Sequence, residues 1–296
     1  MPTAAIVLPL VSGFLYALAG LFLKQTLERG VGVLRVLFVS NISMMLLFAP
    51  FSLLADGPVN WDLLWAPVLT GLFFFTGQVF TFVAIRLGDV SVQAPVMGTK
   101  VLFVAFFTVI LQAGPVPLSW WGAACLTTLA IALLGISSSW RTARSWLRGI
   151  GFALIASIFF ALSDILIQLH AQAMQAWVYI ALTMVTVGLL SFAVIPFFRE
   201  GLHRVSRHAW PSLLAGSLVL AVQCLGMAIA LGFYGRATAA NILYSSRGLW
   251  SIVLVALIGV WFGNREYHAG RRVMVQRLIG AALLLTAIIW VLSEEL

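Results

Sequence analysis

A succession of apolar runs, each about twenty residues long and almost free of charge, constrains this chain more than any other feature. Twenty residues of helix rise about 30 Å, the thickness of a bilayer's hydrocarbon core. No water is available there to satisfy backbone N–H and C=O groups, and a helix satisfies its own. The runs cover residues 4–24, 33–54, 63–85, 91–113, 119–139, 149–170, 176–198, 210–232, 238–262 and 276–293. Breaks fall at Asp56-Gly57-Pro58, Gly114-Pro115-Val116-Pro117, the Ser137–Ser139 run before Arg141, and Gly263-Asn264. Tryptophans stand near the expected ends, among them Trp61, Trp65, Trp120, Trp121, Trp146, Trp177, Trp210 and Trp261, where amphipathic rings prefer the interface. The run from Ala4 to Lys24 lacks a basic leader and is long enough to span, so it reads as a helix and not a cleaved signal. The expectation is an all-α membrane protein with ten transmembrane helices.

Composition excludes the soluble alternatives. Charged residues make up 9% of the chain, against about 25% in a soluble domain, and the mean hydropathy is +1.08. A net charge of +8 could suggest nucleic acid. Here, however, fourteen basic residues lie in the loops after the odd-numbered spans, and only Arg236 lies on the other side. That asymmetry is a topology signal: cytoplasmic loops carry the Lys and Arg excess, so both termini are expected outside a cytoplasmic (inner) membrane. No nucleic-acid partner is expected. Cys125 and Cys224 lie within apolar runs and form no disulfide framework or metal spacing.

The chain also reads as a duplication, residues 1–140 against 141–296. Ala84-Ile85 and Leu87-Gly88 match Ala228-Ile229 and Leu231-Gly232. Met97–Phe103, centred on Lys100, matches Tyr244–Trp250, centred on Arg247. Gly122-Ala123-Ala124 matches Gly280-Ala281-Ala282, and Ala17–Gly20 pairs more weakly with Ala161–Asp164. The matches keep their order, with the extra residues falling in loops. Five spans is an odd number, so the second half enters the membrane from the opposite face, giving an inverted five-plus-five repeat. Ten residues into a span at ~1.5 Å each, Lys100 and Arg247 both reach ~13–15 Å deep, and two entries from opposite faces converge near one plane.

With these features the chain resembles the drug/metabolite transporter superfamily in its ten-helix, EamA-like branch, over nearly its whole length. The resemblance implies that spans 4 and 9 line a central cavity while spans 5 and 10, carrying the Gly-Ala-Ala motifs, lie more peripherally. In the sugar-phosphate branch basic side chains on spans 4 and 9 grip phosphate, which Lys100 and Arg247 resemble. That branch has adjacent basic residues on span 9, whereas here Ser246 precedes Arg247. The first span also lacks the mid-membrane Glu of the small multidrug members.

A Lys or Arg at mid-span costs at least ~2.5–3.5 kcal/mol on insertion scales, so its presence points to function. An ammonium and a guanidinium in a site of lowered dielectric suit a carboxylate or phosphate. The alternative is that each is neutralised by a protein carboxylate and holds helices together. Asp164 is the one carboxylate well inside a span, and its depth suggests an ion pair or gate with Arg247. A desolvated Asp164 could instead take up a proton and couple transport to a gradient. Met97 and Phe103 flank Lys100 by one turn, and Tyr244 and Trp250 flank Arg247, as apolar cavity walls. Gln78, Gln223, Tyr16 and Asn41 are further candidates for the cavity, with helix-to-helix hydrogen bonding as the alternative.

No histidine pair has metal-ligand spacing, and no phosphate loop or ATPase domain is present in the sequence. No cofactor and no enzymatic activity are expected. The residues read as a secondary transporter that moves a small anionic or zwitterionic metabolite by alternating access, as an exporter or exchanger driven by proton or counter-substrate coupling. A flippase for a phosphate-headgroup lipid is the alternative.

Overall fold

The computed structural model describes residues 2–87, 96–135, 143–258, 261 and 271–295. Among these residues the regular structure is helical, with no strand. The helices are α1 (Thr3–Glu28), α2 (Val33–Phe48), α3 (Trp65–Leu87), α4 (Lys100–Ile110), α5 (Leu118–Gly135), α6 (Ala143–Met174), α7 (Ala176–Ser191), α8 (Trp210–Tyr234), α9 (Ala237–Tyr244), α10 (Arg247–Ile258) and α11 (Arg271–Glu295). Among the described residues, seven segments are long and apolar enough to cross a membrane: Thr3–Glu28, Val33–Leu54, Trp61–Ala84, Arg148–Met174, Ala176–Phe197, Trp210–Tyr234 and Ala237–Ile258. Val96–Ile110, Leu118–Leu134 and Leu278–Glu294 are shorter apolar helices. These elements coincide, within a few residues at most ends, with the runs read from the sequence. The breaks expected at Ser137–Ser139 and Gly263-Asn264, and the matched Gly88, lie outside the described residues. The protein is a multi-pass membrane protein.

Proline and glycine end the helices where the chain must turn. Pro50 and Pro196 sit in short 3-10 turns that close α2 and α7, since proline cannot continue the α-helical ladder. Gly235 caps α8 at φ 63°, a left-handed corner that glycine adopts without a side-chain clash.

The most extensive helix contacts are α3 with α6, α1 with α8, and α5 with α11. Beside them, α2 packs on α7 and α8, and α4 meets α6 and α9. The Gly-Ala-Ala segments form close-packed surfaces between α5 and α11. Ala123 and Ala124 are fully buried, and a Cβ at Gly280 would stand 2.9 Å from the Ala130 carbonyl oxygen. Large apolar side chains such as Leu46, Leu129, Leu189, Leu257 and Ile289 point outward. In water this surface would be a liability; against lipid tails it is the ordinary exterior.

Candidate functional site

Both spans that carry a central basic residue are discontinuous, which the sequence did not reveal. In the Val96–Ile110 segment the chain turns at Thr99, whose N–H and hydroxyl both donate to the Val96 carbonyl, at 3.0 and 2.6 Å. Helix α4 then starts at Lys100. In the second half α9 stops at Tyr244, Ser245 and Ser246 form a tight turn, and α10 starts at Arg247. Each basic residue is therefore the first residue of a helix that begins inside the membrane. Hydrogen-bonding turn residues, Gly98-Thr99 and Ser245-Ser246, precede the charges; that pair of small polar dipeptides was the available signal.

The charges have different partners. Lys100 Nζ lies 2.7 Å from Asp164 Oδ2, and both side chains are largely buried. Asn241 Nδ2 donates to the same carboxylate oxygen at 2.7 Å and to the Ala237 carbonyl at 3.0 Å. Asp164 is thus held from α4 and α9 together. Asp164 was expected to pair with Arg247 in at least one state; in this structure Lys100 takes the carboxylate. Depth placed both cations within reach, but the contact between α4 and α6 decided the partner. Asn241 escaped the sequence reading, although it lies one turn before Ser245 on the same helical face.

Arg247 has no carboxylate within ion-pair distance among the described residues. Its guanidinium carbon lies 4.9 Å from the centre of the Tyr16 ring and 4.7 Å from that of Tyr244. Aromatic faces attract a cation without neutralising it. The Tyr244 hydroxyl donates to Gln223 Oε1 at 2.7 Å, and the two tyrosine rings meet edge to face at 5.9 Å. Tyr16, Tyr244, Gln223 and Arg247 therefore form one constellation, drawn from α1, α8, α9 and α10.

The other candidates fall elsewhere. Asn41 and Gln78 exchange two amide hydrogen bonds at 2.8 and 2.9 Å, and Asn41 also donates to Ser191 at 2.8 Å. They tie α2, α3 and α7 together, the structural role set beside the cavity role above. Met97 receives a long contact from the Ser157 hydroxyl, 3.7 Å from its sulfur. Phe103 packs on a core with Phe107, and Trp250 is 38% exposed against Phe14. Each follows its charge on the same helix, Phe103 on α4 and Trp250 on α10, but Phe103 joins the core and Trp250 meets Phe14.

Gly13 lets α1 approach the second break. A Cβ there would meet Ser246 Oγ at 2.6 Å and the Arg247 N and Tyr244 O atoms at 3.1 Å, whereas at Gly20 it would meet nothing within 4 Å. Gly13→Ala is expected to cost about 1–3 kcal/mol by overpacking, and Gly20→Ala to be close to neutral. Thermal unfolding of the two variants in detergent checks the contrast.

A cavity of about 570 Å³ lies at the end of the bundle where α4 runs into α5 and α8 into α9. Thr108, Ala113, Gly114, Gln168, Gly235, Ala237 and Thr238 line it, with Arg236 and Glu294 also at its walls. Among the described residues no cluster of His, Cys, Asp and Glu could hold a metal.

Residues 3–136 match the EamA-like transporter family. No curated protein matches the chain. One solved structure, described as "Crystal structure of protein", superposes with a TM-score of 0.76 at 15% identity, covering 98% of this chain and 96% of that one. At that identity the likeness establishes a shared fold.

Proposed function

We propose, from the premise that this chain belongs through residues 3–136 to the EamA-like transporter family of the drug/metabolite transporter superfamily, that it carries a small organic anion or zwitterion across the cytoplasmic membrane by alternating access. The observation that carries this reading is Arg247. It is a guanidinium at a mid-membrane helix start, held by two aromatic rings and left without a carboxylate among the described residues. A helix N-terminus favours anions through its free N–H groups and dipole, so α10 and Arg247 attract the same ligand charge. Discontinuous helices that meet near the midplane are how many transporters bind their cargo. Lys100, neutralised by Asp164, is not the equal second anchor that the sequence suggested. It enters the cycle as a salt bridge that a ligand must compete with or leave intact.

Helix pairing supports an inverted repeat of two five-helix halves, residues 1–140 and 141–296. Exchanging the halves turns the α3–α6 pair into the α8–α1 pair and maps the α2–α7, α4–α9 and α5–α11 pairs onto themselves. Two related bundles about one site can tilt against each other and open it to either face.

Orientation rests on the fourteen-to-one distribution of basic residues. A periplasm-active reporter fused after Leu296 is expected to work and a cytoplasm-active one to fail; the reverse result would invert the topology.

A thermal-shift panel of anionic, zwitterionic and cationic metabolites tests the ligand class. A ligand at 100 times its Kd adds ~2.7 kcal/mol of stability. Stabilisation by anions or zwitterions is expected; stabilisation by cations alone would refute the reading. Stabilisation by phosphate-headgroup lipid alone would move it to the flippase.

A further inference from the structure

The 570 Å³ cavity and the Lys100–Asp164–Asn241 cluster lie one to two helical turns apart. Helix register sets their order. Thr108 lies two turns beyond Lys100, Gln168 one turn beyond Asp164, and Ala237 one turn from Asn241, all toward the cavity. Gln168 supplies hydrogen bonds across the wall between them. Gln168 Nε2 donates to the Ala113 carbonyl at 2.6 Å, and the Ala237 N–H donates to Gln168 Oε1 at 2.7 Å. The Thr108 and Thr238 hydroxyls lie 3.3 Å apart across the same seam. One amide thus joins α6 to the α4–α5 connection and to the start of α9.

Both tethered segments adjoin left-handed corners. Ala113 stands between Gln112 at φ 53° and Gly114 at φ 149°, and Ala237 follows Gly235 at φ 63°. Each corner packs near Gln168: a Cβ on Gly114 would lie 3.7 Å from its Nε2, and one on Gly235 3.9 Å from its Cγ.

Toward the opposite end, α1 carries exposed residues on two faces. Val7 and Val11, 45% and 47% exposed, mark the lipid face of α1. Tyr16 and Gly20 each follow one of them by nine residues, about two and a half turns, and so lie on the opposite face. Tyr16 is nevertheless 40% exposed while touching Arg247, and Gly20 is exposed with open space around it.

We propose that Gln168 is the latch of the outer gate, holding this conformation closed between the outer cavity and the charge cluster, with Tyr16 and Gly20 exposed on the inner half of α1. The proposal rests on the transporter reading, with outer and inner taken from the basic-residue topology. Gln168 acts as a positioning residue: opening outward requires both of its hydrogen bonds to break, and the corners at Gly114 and Gly235 let the released segments swing.

The test uses single cysteines in full-length protein in membrane vesicles, with Cys125→Ala and Cys224→Ala as background. Val104→Cys reports from between the latch and Lys100, and Gly20→Cys from the inner half of α1. With Gln168→Leu, an impermeant maleimide outside should label Val104→Cys about tenfold faster, the scale of losing a hydrogen bond or two from one side of a two-state equilibrium. Labelling of Gly20→Cys from inside should slow correspondingly. An unchanged rate at Val104→Cys overturns the latch. Faster labelling at both positions also overturns it, since that signals loosened packing and not a gate. If Gln168→Leu does not reach the membrane, Thr108→Val with Thr238→Val weakens the same wall and is judged by the same two rates. No substrate enters this assay, so a failed latch leaves the anion reading standing, and a failed anion reading shows instead in ligand binding.

Discussion

Asp164→Asn is expected to lower the stability of the protein by about 3–5 kcal/mol, the scale of breaking a buried ion pair from one side. The variant leaves the Lys100 ammonium largely buried, 2.7 Å from an amide in place of a carboxylate. Asn241 loses a charged acceptor as well, and hydrogen bonds to charged groups exceed neutral ones. Removing both charges should return most of the loss, because a buried pair replaced as a unit is often neutral. Lys100→Met with Asp164→Asn is that control. Unfolding in detergent under increasing denaturant reads the three proteins. If Asp164→Asn matches the parent, or if the double variant is no better than the single one, the pair does not hold α4 to α6 as described.

Arg247→Gln is expected to weaken anion binding by ~1.5–3 kcal/mol, the range for a hydrogen bond to a charged group, and so about tenfold to a hundredfold. Gln keeps donors at the position but removes the charge. Stability should change little or rise, because the guanidinium is buried against the Tyr16 and Tyr244 side chains and no described carboxylate loses an ion-pair partner. Arg247→Lys should restore part of the affinity, since a point charge cannot reproduce a planar fork between two rings. This separates the two cations: substitution at Asp164, the partner of Lys100, acts first on stability, and substitution at Arg247 first on ligand. Equal binding by a folded Arg247→Gln would remove the anchor.

Much of the architecture was legible in the sequence because bilayer thickness imposes a length on each apolar run. The Gly122 and Gly280 surfaces were legible from local chemistry, whereas the turn at Pro50 fell inside a run read as one span. Lys100 and Arg247 were legible for the same reason, as charges where lipid tolerates none. What depth could not supply was direction around each helix. Asp164 is deep enough to meet either cation, and the packing of α4 on α6 gave it to Lys100. Trp250 and Phe103 follow their charges by three residues on α10 and α4, yet Trp250 meets Phe14 and Phe103 meets Phe107, partners that spacing does not name. Gln78 and Asn41 satisfy each other, which no one-dimensional pattern distinguishes from two cavity-facing amides. Gln168 lies near the end of a long apolar helix, and its partners, the Ala113 carbonyl and the Ala237 N–H, are backbone groups that leave no trace in residue type.

Counterflow exchange in proteoliposomes tests the central claim most directly. The parent and Arg247→Gln are reconstituted side by side, loaded with the metabolite that most stabilises the parent, and diluted into a trace of the labelled compound without ATP. The parent should accumulate label transiently, and Arg247→Gln should accumulate about a tenth as much or less at the same concentration. Equal accumulation by the two proteins, or none by the parent with a ligand that binds it, would contradict an anion carrier built on Arg247.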